Sequence, residues 1–183
     1  MFGFKRKKSG QDLVLLLHAH IVEASRRPAL YGERGLPDTM EGRFEALVLH
    51  VLVVLRRLRQ LPPPADDVAQ ELVDAVFSHL EIALREMGIG DFGVPKRMKK
   101  LAAAFFDRTS KYDPLIAAHD QAGLARELGE RLAMSPDRFD AFARVVLESE
   151  ERLSQVDLEG VLAGSPFAEI DGSRSQATMG QGK

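Results

Sequence analysis

The chain has 183 residues, of which 45% are hydrophobic and 28% charged, a composition and length typical of one globular domain of about 150 residues or more. It contains no cysteine, which excludes a disulfide scaffold, a thiolate zinc site, an iron–sulfur cluster and a cysteine nucleophile. The formal net charge of −2 is a cancellation, because residues 1–111 hold 18 Lys/Arg against 14 Asp/Glu and residues 112–183 hold 7 against 13.

The N-terminal region predicts a basic tail followed by an amphipathic helix. Residues 5–8 read Lys-Arg-Lys-Lys, and we expect residues 1–9 to be a flexible tail that is either merely solvated or touches an anionic membrane face. The apolar run at 13–17 is soon interrupted by two histidines and a glutamate, unlike the core of a signal peptide. Neither this run nor the ten apolar-rich residues 46–55 approaches the roughly 20 residues that a membrane-spanning helix needs.

Helical patterns dominate the rest of the chain. Apolar residues recur with a 3.6-residue period, and the second predicted helix is apolar all round in its first half, as expected for a central, buried helix. Asp38 and Glu41 form a variant of a capping box before it, and Asp113-Pro114 predicts a helix start. The predicted helices are 10–27, 40–61, 66–87, 94–110, 113–119, 120–133, 136–154 and a short turn at 157–163.

No segment alternates apolar and polar residues for long enough to predict a strand. The sequence therefore predicts an all-α fold, a single helical-bundle-like domain of about seven helices over residues 10–165. The polar, Gly-rich residues 166–183 are expected to be a disordered tail.

Motifs for catalysis or cofactor binding are weak. Residues 88–93, GIGDFG, match the G-x-G-x-x-G pattern, but a helix is predicted before them where a dinucleotide site requires a strand. His18 and His20 are two residues apart and lie on different sides of a helix, and His50 lies among aliphatic residues, so core or flank positions are favoured over metal ligation. We expect no enzyme activity, no metal and no cofactor.

Two stretches combine Gly and Pro with clustered charges and aromatic residues: YGERGLPDTMEGRFE at 31–45 and GIGDFGVPKRMKKLAAAFFDRTSKY at 88–112. One interpretation is tight turns joined to solvated helix faces. The other is a basic, partly apolar surface for an acidic partner, a membrane face or RNA.

These stretches resemble the ubiquinol–cytochrome c chaperone family, the cytochrome bc1 complex assembly factors. The resemblance covers roughly residues 10–155. In the first stretch it is carried by Tyr31, Gly35, Pro37, Asp38, Thr39, Gly42, Arg43, Phe44 and Glu45, with Leu49 and His50 downstream. In the second it is carried by Phe77, 85–88 (REMG), Gly90, Asp91, Val94, 96–99 (KRMK), Phe105, Arg108 and Tyr112.

The resemblance implies an all-helical, non-enzymatic chaperone. Mitochondrial relatives bind newly made cytochrome b and support its incorporation into the bc1 complex, working with a small helper protein near the ribosomal exit. The chain lacks their long Arg/Ser-rich extension, which predicts a bacterial member in the cytoplasm, peripheral to the cytoplasmic face of the inner membrane. Cytochrome b or another bc1 subunit is the expected client, and contacts with ribosome, helper protein and anionic lipid are further expectations; DNA is not an expected partner.

We predict that the partner-binding residues lie in these two stretches, beside an exposed apolar patch of more than a few hundred Å². They are Tyr31, Pro37, Asp38, Arg43, Phe44, Glu45, Asp91, Lys96, Arg97, Lys99 and Lys100. The alternative function is that of an RNA- or ribosome-associated regulatory protein, which would use the basic helix 96–111.

Overall fold

The computed structural model describes residues 3–33 and 35–163, with side chains from residue 10 onward. Within these residues the chain forms seven α-helices and two short 3₁₀ helices, and no strand. The α-helices are α1 Gly3–Ser25, α2 Met40–Leu58, α3 Ala65–Glu86, α4 Val94–Ala117, α5 Gln121–Leu132, α6 Asp140–Ser154 and α7 Leu158–Leu162. The 3₁₀ helices are Pro28–Leu30 and Pro136–Phe139. The prediction of an all-α fold with about seven helices is confirmed.

Helix α2 is the centre of the bundle. Residues 45–55 are buried without interruption, because α1, α3, α4, α5 and α6 all contact this helix and cover every side of it. Its neighbours present narrower apolar stripes: Val76 of α3, Ile116 of α4, Leu128 of α5 and Phe142 of α6 are fully buried against the same core. The all-round apolar pattern in the sequence therefore correctly predicted a central helix.

One predicted helix start and one predicted cap are wrong; α2 begins at Met40 as predicted, but with a different N-cap. The N-cap of α2 is Thr39, whose hydroxyl accepts a hydrogen bond from the Gly42 amide, while the Asp38 carboxylate bonds Arg43 instead. Helix α1 begins at Gly3 rather than near residue 10, so the backbone of residues 3–9 is helical where a flexible tail was expected. Their side chains, and the predicted tail at 166–183, lie outside the described residues.

Pro114 does not begin a new helix but lies inside α4. A proline there removes one backbone hydrogen bond and costs about 3 kcal/mol. Tertiary contacts offset this cost, because Tyr112 and Ile116 on either side are fully buried. The Asp113 carboxylate, expected to cap a helix, instead accepts a 2.6 Å hydrogen bond from Arg56 of α2.

None of the helices in the described part of the chain has both the length and the hydropathy that crossing a bilayer requires. The apolar stretch at 46–55 is the middle of α2, which confirms that it is a core helix.

Candidate functional site

An apolar groove of about 660 Å³ opens where the end of α1, the start of α2, the end of α3 and the start of α4 meet. It lies between the two stretches that the sequence singled out. Its apolar walls are formed by Val22, Met40, Phe44, Leu47, Leu80, Ala83, Leu84, Met87, Ile89 and Leu101. Ser25, Arg26, Arg43, His79 and Arg97 complete the lining.

The groove exposes apolar surface at its mouth. Met40 is 65% exposed and Met87 is 50% exposed, and both belong to the lining. Methionine side chains are flexible and polarisable, which suits surfaces that bind irregular apolar partners. Exposed apolar side chains therefore lie near both stretches, and the expected patch of more than a few hundred Å² stays a prediction.

Three arginines give the groove a positive charge. Arg26, Arg43 and Arg97 lie in its lining, and none of the lining residues is an aspartate or glutamate. In a cleft with low-dielectric walls such a charge distribution attracts carboxylates or phosphates. The groove therefore suits an apolar segment that has acidic groups beside it.

The loop before α2 is fixed by its own backbone and by one distant arginine. Tyr31 and Leu36 pair as an isolated bridge, and the Tyr31 hydroxyl donates to the Ser25 carbonyl at 2.5 Å. Arg138, from the 3₁₀ helix before α6, donates to the carbonyls of Gly35 (2.7 Å) and Gly32 (2.6 Å). The loop is thus anchored to the end of α1 through Ser25 and to the 3₁₀ helix before α6 through Arg138.

Two glycines of this loop and helix start are required by close approach. A Cβ at Gly35 would collide with the Leu30 carbonyl oxygen, and one at Gly42 would collide with the Pro37 carbonyl oxygen. Pro37 is buried, and it meets α2 at this point. The glycines and the proline of the first stretch therefore serve the turn that brings Arg43 and Phe44 to the groove.

Arg43 is held at the groove mouth by Asp38. Its Nε donates to Asp38 Oδ1 at 2.6 Å, and both side chains are more than half exposed. This hydrogen bond lowers the pKa of Asp38 and raises the pKa of Arg43, so both remain charged at neutral pH. An exposed pair of this kind exchanges partners at little cost, and an incoming carboxylate can replace Asp38.

Glu45, expected either to contact a partner or to order the preceding loop, is not a surface residue. Its side chain is fully buried between α2 and α4, where Arg108 Nε donates to Oε1 at 2.7 Å and the Tyr112 hydroxyl donates to Oε2 at 2.6 Å. Arg108 also lies over the ring of Phe44 at 5.0 Å. We call Glu45, Arg108 and Tyr112 the Glu45 cluster; it joins α2 to α4 directly behind the groove wall.

Within the Glu45 cluster, both carboxylate oxygens of Glu45 accept a hydrogen bond from a side chain of α4. Burial raises the pKa of Tyr112 far above its usual range, and the charge of Glu45 raises it further, so the hydroxyl stays a donor. Arg131 of α5 lies over the Tyr112 ring at 5.5 Å and pairs with Asp107 and Glu127. The spacing of Arg108 and Tyr112, four residues apart on one helix face, is the sequence signal that indicates a shared partner.

A pair of histidines joins α1 to α3 beside the groove. The rings of His18 and His79 meet edge to face at 5.2 Å, and His79 lines the groove. Burial lowers the pKa of both rings, and each is lowered further by positive charge nearby, with Arg26 contributing to both. The two rings are therefore largely neutral at pH 7, and the positive charge of the groove comes from its arginines.

The remaining predicted residues surround the start of α4. Lys96, Arg97, Lys99 and Lys100 are exposed there, but only Arg97 belongs to the groove lining. Asp91, in the loop before α4, is exposed and pairs with Arg85 of α3 at 2.5 Å. Arg108, the next base along the predicted basic helix, turns into the Glu45 cluster, so the exposed bases of this helix are the four at its start and Lys111 farther along.

Sequence reasoning missed several residues of this site. Arg26, Met40, Met87, Ile89 and Leu101 line the groove, and each looked in the sequence like an ordinary helix-face or loop residue. Arg138 gave no signal, because its role depends on contacts with a loop about a hundred residues earlier. Within the part of the chain described, no three His, Cys, Asp or Glu side chains converge as metal ligands would.

Comparisons with known proteins identify the family. The Ubiquinol-cytochrome C chaperone family matches residues 32–169, which include the second stretch, the first stretch except Tyr31, and most of the groove. The chain is 23% identical over 151 residues to the ubiquinol-cytochrome-c reductase complex assembly factor 1 of Xenopus laevis, covering 81% of this chain and 76% of that one. The crystal structure of the Cbp3 homolog from Brucella abortus is similar with a TM-score of 0.79 and 34% identity, over 92% of this chain and 96% of that one. On sequence and on fold, the chain belongs to the ubiquinol–cytochrome c chaperone family.

Proposed function

We propose that this chain is an assembly chaperone for the cytochrome bc1 complex, and that its groove holds an apolar segment of newly made cytochrome b or of another bc1 subunit. Family membership supports the role in bc1 assembly. The observation that carries the proposal is the open apolar groove with three arginines in its lining. Its function is binding and release rather than chemistry.

The apolar walls supply the affinity. A membrane protein client exposes apolar segments before it is inserted, and burying apolar surface yields about 25 cal/mol per Å². The exposed methionines Met40 and Met87 adapt to segments of different shape. Because the groove is open at its mouth rather than closed, a client segment enters and leaves without unfolding of the bundle.

The arginines supply orientation. Arg26, Arg43 and Arg97 present donors to carboxylates beside an apolar segment, or to the carbonyls at the C-terminal end of a client helix. When the groove is empty, Asp38 satisfies Arg43. Tyr31, Pro37 and Asp38 accordingly act through the loop that presents Arg43 and Phe44, and Glu45 acts by holding the wall behind them.

We place this activity in the bacterial cytoplasm, at the cytoplasmic face of the inner membrane, where an apolar client meets the bilayer. A small helper protein and the ribosome are further proposed partners, by analogy with the mitochondrial relatives that the sequence resembles. Asp91 and the exposed bases Lys96, Lys99 and Lys100 lie outside the groove lining and are the surface we assign to such a partner.

The test is client capture by a groove variant. In a bacterium that makes a bc1 complex, tagged chain carrying Met87→Lys is purified from detergent-solubilised membranes and the bc1 subunits that come with it are quantified. We expect about a tenfold loss of client, because a charge at the mouth must be desolvated when an apolar segment binds. Ile82→Lys is the matched control, since Ile82 lies on α3, which ends just before Met87, and is similarly exposed but lies outside the groove lining.

Equal capture by Met87→Lys and the unchanged chain would contradict a client site in the groove. Normal levels of assembled, haem-loaded cytochrome b in a strain that lacks the gene would contradict the assembly function as a whole.

A second candidate function, RNA or ribosome-associated regulation, is favoured by the four exposed bases at the start of α4. It predicts RNA binding that weakens steeply as salt rises from low to physiological concentration. Absence of RNA binding at low salt would remove this candidate and leave the chaperone role in place.

A further inference from the structure

We propose that the exposed face of α1 is a docking surface for an anionic lipid bilayer. This surface, which we call the leucine face, consists of Leu13, Leu15 and Leu16. It is separate from the groove, and lipid binding by it does not depend on the function proposed above. Only its consequence for the client rests on that function.

The leucine face is exposed among the described residues. Leu13, Leu15 and Leu16 are 42%, 58% and 51% exposed, and they make up three of the nine large apolar side chains exposed in the described part of the chain. The core-facing side of the same helix is already supplied by other residues, since Val14 and Leu17 are buried. The helix is therefore apolar on two sides, although the bundle uses one.

The basic residues at the start of α1 favour an anionic bilayer as the partner of the leucine face. Residues 5–8, Lys-Arg-Lys-Lys, belong to the first turns of α1, and the helix holds two carboxylates, Asp12 and Glu23, against these four bases. At 1.5 Å per residue, Lys8 precedes Leu13 by only about 8 Å along the helix axis. A basic segment beside exposed leucines on one helix is the pattern of a helix that lies in the interface of a membrane with anionic headgroups.

The position of α1 gives this docking a consequence. Val22, Ser25 and Arg26, at the other end of the helix, line the groove. Nine residues separate Leu16 from Ser25, which is about 14 Å along the helix axis. A bilayer that holds the leucine face therefore lies close to the groove, where a client segment passes between the membrane and the chaperone.

The test is flotation of the purified full chain with vesicles. One set contains equal amounts of phosphatidylglycerol and phosphatidylcholine, and the other phosphatidylcholine alone. We expect binding to the anionic vesicles that weakens with salt, and a fall of about tenfold or more in the double variant Leu15→Ser with Leu16→Ser. Ile82→Ser, a similar loss of one exposed apolar side chain on α3, is the control and should bind as the unchanged chain does.

Four results would overturn the inference. Equal binding by the leucine variant and the control, or equal binding to both vesicle sets, would exclude the leucine face as an anionic lipid site. A drop from dimer to monomer mass in the leucine variant, without a change in flotation, would assign the face to a second copy of the chain. A lower unfolding temperature, again without a change in flotation, would assign it to packing within the chain.

The result is separable from the proposed function. The groove variant Met87→Lys should float with vesicles normally, because Met87 lines the groove and is not part of the leucine face. Loss of client capture with normal flotation in this variant, and the reverse in the leucine variant, would support the two proposals independently.

Discussion

The groove and the Glu45 cluster are neighbours on α2 and use their charges in opposite ways. In the groove, arginines lie in the lining of open apolar walls, and Arg43 pairs with the exposed Asp38. In the cluster, two residues beyond Arg43 on α2, the charge of Glu45 is fully buried and met by two donors from α4. Phe44 separates them, with Arg108 stacked on its ring.

This difference shows that residues 43–45 have two structural roles: Arg43 and Phe44 line the groove, and Glu45 joins α2 to α4. The cluster fixes the spacing of α2 and α4, and this spacing keeps the groove wall in place when no client fills it. The groove keeps its apolar surface exposed because the bundle behind it is stable without that surface. Variants of the two regions should therefore separate stability from binding.

The largest effect on stability is expected from Glu45→Ala. It leaves the Arg108 guanidinium and the Tyr112 hydroxyl buried without their partner, which costs about 3–5 kcal/mol of unfolding free energy. Urea unfolding followed by circular dichroism measures the loss. Glu41→Ala, an exposed position on the same helix, should change stability by no more than about 0.5 kcal/mol. A Glu45→Ala protein of unchanged stability that lost client binding would show that Glu45 belongs to the groove instead.

The second effect is a loss of stability in acid through His50, which lies in the middle of α2. Burial lowers its pKa to about 4, against the opposing hydrogen bond to the Ala46 carbonyl. As the pH falls, His50 therefore takes up a proton at a lower pH in the folded protein than in the unfolded chain. The stability that this residue contributes is complete above pH 6.5 and falls as pH drops toward 4, by up to about 3 kcal/mol.

Unfolding free energies measured between pH 7 and pH 4 check this expectation. His50→Asn, which retains a nitrogen donor near the position of Nδ1, should flatten the slope in that window. An unchanged slope would mean that other groups, such as the His18–His79 pair at the groove wall, dominate the acid response.

A smaller effect is expected from Arg138→Ala. This substitution removes two hydrogen bonds to carbonyls of the loop before α2, at a cost of about 1–2 kcal/mol. Client capture should weaken as well, because the loop presents Arg43 to the groove. Arg144→Ala on α6, whose side chain meets only Glu148 at 4.0 Å, is the control. Capture at the level of the control would separate the loop from the groove.

The smallest effect on stability is expected from the double variant Lys96→Glu with Lys100→Glu. Both side chains are exposed, so the unfolding free energy should change by no more than about 0.5 kcal/mol. Binding of a helper protein or ribosome should nevertheless weaken, which co-purification at two salt concentrations would measure. Lys111→Glu, at the other end of α4, should leave it unchanged; equal weakening by both would move the partner surface away from the start of α4.

The sequence predicted those features that depend on local pattern. The all-round apolar run of α2 identified the central helix. Gly88, which follows the C-cap of α3, adopts the left-handed conformation (φ 79°) that favours glycine after a helix end. Pro114 was misinterpreted, because its cost is offset by the burial of Tyr112 and Ile116, which local pattern does not reveal.

The site was only half predictable for the same reason. Arg43, Phe44 and Arg97 were found because they lie in stretches with unusual composition, and they do line the groove. Glu45 belongs to the same stretch but points into the bundle toward α4 and not into the groove, since adjacent residues on a helix are turned by about 100°. Met40 and Arg138 contribute only through the tertiary fold.

The most direct measurement of the central claim is site-specific photo-crosslinking in cells that assemble a bc1 complex. A photoreactive residue is placed at Met87 in the groove or at Ile82 outside it, two positions of similar exposure. The account predicts a crosslink to cytochrome b or another bc1 subunit from position 87 and none from position 82. Crosslinks of equal yield from both positions, or from 82 alone, would contradict the assignment of the groove as the client site.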